Sequence, residues 1–255
     1  MSDRPIISAL TEARKSGGKM TAYPGPAPLN KAAAFAIQSA VRERLGWKHA
    51  GWKIGCTSER AQMALKTDGP FPGPVYAERL YKSGTHLETH AGNSRVTEPE
   101  IAFTLAASLP LRDRAYGVDE VLAAVASVHP AIEIVNPRCP KGFDDVVEWY
   151  IADGGLNHAL VLGDAVGPLA RGDYAKLAVK VAVNGEQKYS GLGANALGGP
   201  ELALTWLAND LNAKGLHVRA GDVVTTGVIT EVFDADIGDE VVADFGNLGT
   251  VRVKL

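Results

Sequence analysis

Thr97-Glu98-Pro99-Glu100-Ile101-Ala102-Phe103 and Ala131-Ile132-Glu133-Ile134-Val135 decide the fold of this chain. Both read as extended segments. Side chains two apart on a strand share a face, so Glu98 and Glu100 point one way, while Ile101 and Phe103 supply apolar surroundings. Glu133 stands between isoleucines, where a strand buries it at least in part. A buried carboxylate must be paired, protonated or bound to a metal. Three carboxylates converging from two strands make an oxygen-only site of the kind Mg2+ or Mn2+ accepts. The spacing alone leaves two other readings open: a Glu-x-Glu pair on an exposed edge, and a Glu133 bonded to a lysine.

Outward from this centre, helical and extended patterns alternate. Residues 1–30 read as a short helix followed by the Gly/Pro loop Tyr23–Asn30. A helix follows to Leu45, with Asn30 as N-cap and Gly46 as the closing glycine. Gly51–Gly55 is strand-like. Ser58 caps a short helix that Phe71-Pro72-Gly73-Pro74 breaks, and Val75–Tyr81 reads as extended. Val118–Val128 reads as one amphipathic helix, His129–Arg138 as a strand with proline at both ends, and Asp144–Gly155 as a helix stopping at its glycine pair. The segment from Asn157 is a strand. Asn184-Gly185 marks a hairpin, and Pro200–Gly215 is a helix with proline first and glycine last. The strands that follow complete an α+β chain of mostly antiparallel strands.

The chain has 255 residues, long enough to bury roughly 70–75% of its unfolded surface. Its net charge of −3 does not favour a nucleic-acid surface. No apolar run reaches the roughly 20 residues a bilayer needs, and the N-terminal stretch lacks a secretory pattern. Two cysteines, Cys56 and Cys139, suit a reducing compartment. The expectation is a cytoplasmic protein with no nucleic-acid or membrane partner.

A second candidate centre is Gly51-Trp52-Lys53-Ile54-Gly55. A lysine held among apolar residues and glycines is either a general acid or base with a depressed pKa, a snorkelling side chain, or the partner of a carboxylate. Other motifs carry less. His86-Leu87-Glu88-Thr89-His90 misplaces the glutamate of a zinc-protease helix. The glycines from Gly191 to Gly198 miss the dinucleotide spacing. Cys56 has no evident basic partner and reads as a small buried thiol.

Taken in order, GWKIGCTS, FPGPVYAERLY, TEPEIAF, AIEIVNPR, IADGG and AGDVVTTG resemble the fumarylacetoacetate hydrolase superfamily, from about residue 30 to the C-terminus. Within it they look most like the branch of 2-hydroxypenta-2,4-dienoate (2-oxopent-4-enoate) hydratases and 4-oxalocrotonate decarboxylases. The resemblance implies an α+β fold like that family's C-terminal domain: a mixed β-roll or barrel with peripheral helices. Residues 1–50 would be an N-terminal helical segment packed on a catalytic domain of residues 51–255. It implies Glu98, Glu100 and Glu133 as ligands of Mg2+ or Mn2+, Lys53 and Glu78 as catalytic groups, and Thr57, Asp153, Thr226 and Gly227 as substrate-binding groups. Glu78 stands at the hydratases' aspartate position, and Leu156 at a serine position. The implied substrate is a small 2-oxo or 2-hydroxy-dienoic acid, and the implied assembly a homo-oligomer. The alternatives are a 4-oxalocrotonate-type decarboxylase, an acylpyruvate hydrolase, for whose Glu/His pair only His49 offers itself, and a non-catalytic 2-oxo-acid-binding partner subunit.

Overall fold

The computed structural model describes residues 4–255. In chain order its elements are α1 (Arg4–Ser16), α2 (Lys31–Leu45), β1 (His49–Gly55), α3 (Glu59–Ala64), β2 (Phe71–Tyr76), β3 (Leu80–Lys82), β4 (Thr85–His86), β5 (Val96–Leu105), α4 (Val118–Ala123) and β6 (Val125–Val135). There follow α5 (Val147–Ala152), β7 (Asn157–Leu162), β8 (Ala178–Val183), β9 (Glu186–Leu192), α6 (Pro200–Ala213), β10 (Val223–Thr225), β11 (Phe233–Asp234), β12 (Glu240–Asp244) and β13 (Thr250–Lys254). The larger sheet runs β2-β1-β10-β5-β6-β7-β3 with β11 also on β5, and the smaller runs β4-β13-β12-β8-β9. Among the described residues, only β1/β10, β3/β7 and β4/β13 pair in parallel.

The alternation of β5 and β6 builds two different faces. Ile101, Phe103, Ile132 and Ile134 point into the main core, where Val241, Val251 and Val253 of the smaller sheet and Leu204 and Leu207 of α6 meet them. The opposite face carries the three glutamates and, below them, a small cluster of Val75, Ala102, Ala131, Leu160 and Val223. A separate core joins α1, α2 and α5 through Leu10, Ile37, Val41, Trp149 and Tyr150. The caps read from the sequence form: Asn30 accepts from the Ala33 N–H, Gly46 closes α2 in the left-handed conformation, and Ser58 accepts from the Ala61 N–H. No helix among the described residues is long and apolar enough to cross a membrane.

Three readings of local structure change. The helix expected over Val118–Val128 ends at Ala123, and Val125 already pairs with Leu105; the β-branched run from Val125 to Val135 extends the strand. Phe71-Pro72-Gly73-Pro74 is itself strand, paired to β1 at the sheet edge, where missing N–H donors are tolerated. The helix expected over Asp144–Gly155 covers only Val147–Ala152, because Gly154, Gly155 and Leu156 all turn to positive φ.

Candidate active site

Strand register creates the acidic centre. Glu98 lies directly opposite Glu133, and Glu100 is two residues along the same face of β5. One oxygen from each of the three carboxylates lies within 4.8 Å of the others. Glu100 and Glu133 are fully buried, while Glu98 is half-buried and faces a cavity of about 400 Å³. Burial first, and repulsion from Glu133 second, push Glu98 up to about 7, although Lys53 pulls it back. Burial and both neighbouring carboxylates raise Glu100 well above the usual carboxylate range, against the pull of Lys53 and the Gly227 N–H. The Gly227 N–H donates to Glu100 Oε2 at 2.7 Å, whereas Glu100 Oε1 has no hydrogen-bond partner.

One buried cation faces this centre. Lys53 Nζ lies 3.2 Å from Glu133 Oε2. Burial alone would lower its pKa, but Glu133, Glu98 and Glu100 together outweigh that and raise it. The depressed pKa considered from the sequence therefore gives way to a firmly charged ammonium. Its stem passes close to backbone: a Cβ on Gly155, whose φ is +66°, would come within 2.9 Å of Lys53 Cδ. Glycine there leaves room for the lysine and adopts the conformation at no steric cost.

Beneath the carboxylates runs a polar network that the sequence reading missed. Asn157 donates from Nδ2 to Glu133 Oε1 at 2.8 Å. Its own carbonyl accepts from Arg14 at 3.3 Å and Arg138 at 3.2 Å. Both arginines are buried and paired with Asp153, at 3.2 and 3.3 Å. Arg138 also donates to His158 Nδ1 at 3.3 Å, and burial foremost, with Arg138 and other cations, lowers His158 to about 3. Arg14 comes from α1, so the N-terminal helix reaches the floor of the site. Buried arginines in an amphipathic helix look in sequence like solvated ones; only their shared carboxylate, brought in by α5, reveals the role.

The other expected site residues divide. Thr57 lines the cavity and lies over Gly227, where a Cβ would meet its Oγ1 at 2.0 Å. Gly227 and Thr226 are turned inward: the first donates to Glu100, and the Thr226 hydroxyl donates to the Ile101 carbonyl at 2.8 Å. They brace the acidic strand, and the cavity wall next to them is formed by Val228. Asp153 is fully buried among its arginines and does not line the cavity. Glu78 is exposed in the turn after β2, accepting from the Lys48 N–H at 3.0 Å. The structure does not bring it to Lys53, because β2 carries it to the far end of β1. His49 pairs instead with Asp222 at 3.1 Å. His86 ends β4 and His90 lies in the following loop, in neither case on a helix. Among the described residues, Glu98, Glu100 and Glu133 are the group that can hold a metal.

Comparison with known proteins agrees with this architecture. The family model described as fumarylacetoacetate (FAA) hydrolase C-terminal matches residues 73–255. A 2-keto-4-pentenoate hydratase of Burkholderia vietnamiensis (strain G4 / LMG 22486) is 31% identical over 251 residues, covering 97% of this chain and 95% of the relative. A 4-oxalocrotonate decarboxylase of Pseudomonas sp. (strain CF600) is 30% identical over 226 residues, covering 87% and 84%. In fold, the chain is similar to the 4-oxalocrotonate decarboxylase from Pseudomonas putida G7 solved with magnesium and adipate, with a TM-score of 0.86, 24% identity, and coverage of 100% and 98%. The β-roll, the face that gathers three glutamates and the match over most of the sequence lead to one conclusion: the chain belongs to the fumarylacetoacetate hydrolase C-terminal family.

Proposed function

We propose that the chain is a divalent-metal-dependent lyase that adds water to a 2-hydroxy-2,4-dienoate, in its 2-oxo-enoate form. The observation that carries this is the convergence of Glu98, Glu100 and Glu133 within 4.8 Å, facing one lysine. Two buried carboxylates and the half-buried Glu98 exceed the charge one ammonium neutralises, and Glu100 Oε1 has no donor; a hard cation fits that donor set. Glu98, Glu100 and Glu133 would hold Mg2+ or Mn2+. When bound, the metal supplies Lewis acidity at the substrate's 2-oxo group. The magnesium in the solved decarboxylase and the names of the hydratase relatives support the reading.

The protein's own groups then have distinct tasks. Lys53 Nζ, kept protonated by its three carboxylates, gives a proton to carbon 5 of the dienol and takes up the proton that the 2-hydroxyl loses, so the lysine ends charged. The resulting α,β-unsaturated ketone takes water at carbon 4. Thr57 bounds the cavity beside Lys53 and offers a hydroxyl to the substrate. Asn157, held by Arg14 and Arg138, fixes Glu133. In the same reading the N-terminal segment that carries α1 and α2 serves the domain of residues 51–255, and the protein is a cytoplasmic homo-oligomer.

The decarboxylase reading shares the metal and the electron sink and is favoured by the 30% identical relative. The deciding experiment is an ultraviolet assay with 2-hydroxypenta-2,4-dienoate, with Mg2+ and then with EDTA. Metal-dependent loss of the dienol with 4-hydroxy-2-oxopentanoate as product supports the hydratase. No loss by a protein shown to bind Mg2+ removes it.

A further inference from the structure

We infer that the substrate has a single carboxylate and an uncharged, apolar distal group. This rests on the reading of the site proposed above and concerns the part of the cavity remote from the carboxylates. The cavity leads outward from Lys53 and Glu98 between Leu65, Phe71, Val135, Phe143, Leu156 and Val232. Its volume of about 400 Å³ falls in the range that holds small organic ligands.

Charge is absent from the outer part. Among the described lining residues Lys53 is the one cation, and it is already engaged by Glu133. Two polar side chains on the walls face the backbone: the Tyr150 hydroxyl donates to the Phe143 carbonyl at 2.6 Å, and Ser58 caps α3; Cys56 and Thr57, also on the walls, offer no cation. The neighbouring cations have acidic partners of their own. Lys31 pairs with Asp68, and the exposed Arg60 lies 4.0 Å from Glu231. A distal carboxylate here would lose water and gain no donor.

Apolar surface waits at the mouth instead. Phe143 and Val232 line the cavity yet remain 42% and 53% exposed. An alkyl or aryl tail would cover them, and each methylene removed from water favours binding by about fourfold.

The test uses the full-length protein loaded with Mg2+ and compares kcat/KM across 2-hydroxypenta-2,4-dienoate, 2-hydroxyhexa-2,4-dienoate, 2-hydroxyocta-2,4-dienoate and the diacid 2-hydroxyhepta-2,4-diene-1,7-dioate. The monoacids should improve by about fourfold per methylene until the cavity fills, and the diacid should fall at least 100-fold below the octadienoate. A diacid used as well as the octadienoate overturns the inference. Calorimetry with 2-oxohexanoate and 2-oxohexanedioate separates this failure from failure of the underlying reading. If the diacid binds as tightly as the monoacid, in each case needing Mg2+, only the distal-group assignment falls. If neither binds, the 2-oxo-acid reading falls with it. Val232→Arg, at the exposed rim, should raise the diacid at least tenfold relative to the octadienoate. An unchanged ratio in that folded variant overturns the placement of the distal group.

Discussion

Asn157 holds Glu133 from below, Nδ2 to Oε1 at 2.8 Å, while Lys53 approaches the other oxygen of the same carboxylate at 3.2 Å. Glu133 thus has both oxygens oriented by fixed partners. Partners that orient a ligand usually account for 10–100-fold in metal affinity.

Asn157→Ala should therefore weaken Mg2+ or Mn2+ binding by about 10–100-fold while the protein stays folded. Direct metal titration by calorimetry reads this. Wild-type affinity in the variant would show that Glu133 needs no anchor.

Lys53→Met should separate chemistry from metal binding. It removes the proton donor and leaves three carboxylates without their ammonium, so a metal binds as tightly as before or more tightly. Turnover should fall by about 10²–10⁴-fold, the usual contribution of a positioned acid or base. Loss of metal binding in this variant would make Lys53 structural.

The acidic centre was legible because strand alternation and register are local properties: Glu98 and Glu100 share a face by spacing, and Glu133 declares itself by its isoleucine neighbours. The hairpin at Asn184-Gly185 and the caps at Asn30 and Ser58 were legible for the same reason. What stayed hidden depends on contacts remote in sequence. Arg14 reaches Asp153 from α1, 139 residues away, and nothing around Arg14 in the sequence distinguishes it from a solvated arginine. Glu78 shows the converse. Its alignment with a family aspartate suggested a catalytic group, yet the turn after β2 directs it to the Lys48 N–H.

The buried carboxylates fix the sign of a metal-linked pH effect. Glu98 is pushed up to about 7 and Glu100 is also raised. A carboxylate whose folded pKa is raised contributes stability below its unfolded value, and that stability is lost as pH rises through the folded value. In EDTA the protein should thus lose stability as pH rises from about 5.5 through about 7. Saturating Mg2+, by binding the ionised forms, should offset this loss and release protons on binding near pH 7. Urea unfolding in EDTA and in Mg2+ across this range checks the first point; calorimetry in buffers of different ionisation enthalpy checks the second. Parallel stability curves would contradict the shared acidic centre.

His158 acts in the opposite direction. It is 6% exposed and accepts from Arg138 through Nδ1, so it folds as the neutral ring. Burial first and the neighbouring arginines next lower it to about 3. The unfolded chain takes up its proton near pH 6.5, so the contribution is present above that pH and is lost progressively down to about 3. By pH 5 the loss from this one group is about 2 kcal/mol. His158→Gln retains an acceptor for Arg138 but cannot titrate, so the variant should lose less stability than the wild type between pH 7 and pH 5. Urea unfolding of both proteins at pH 7, 6 and 5 measures the difference and cancels the carboxylates common to both. Curves that stay parallel would mean that His158 accepts a proton without unfolding its arginine network.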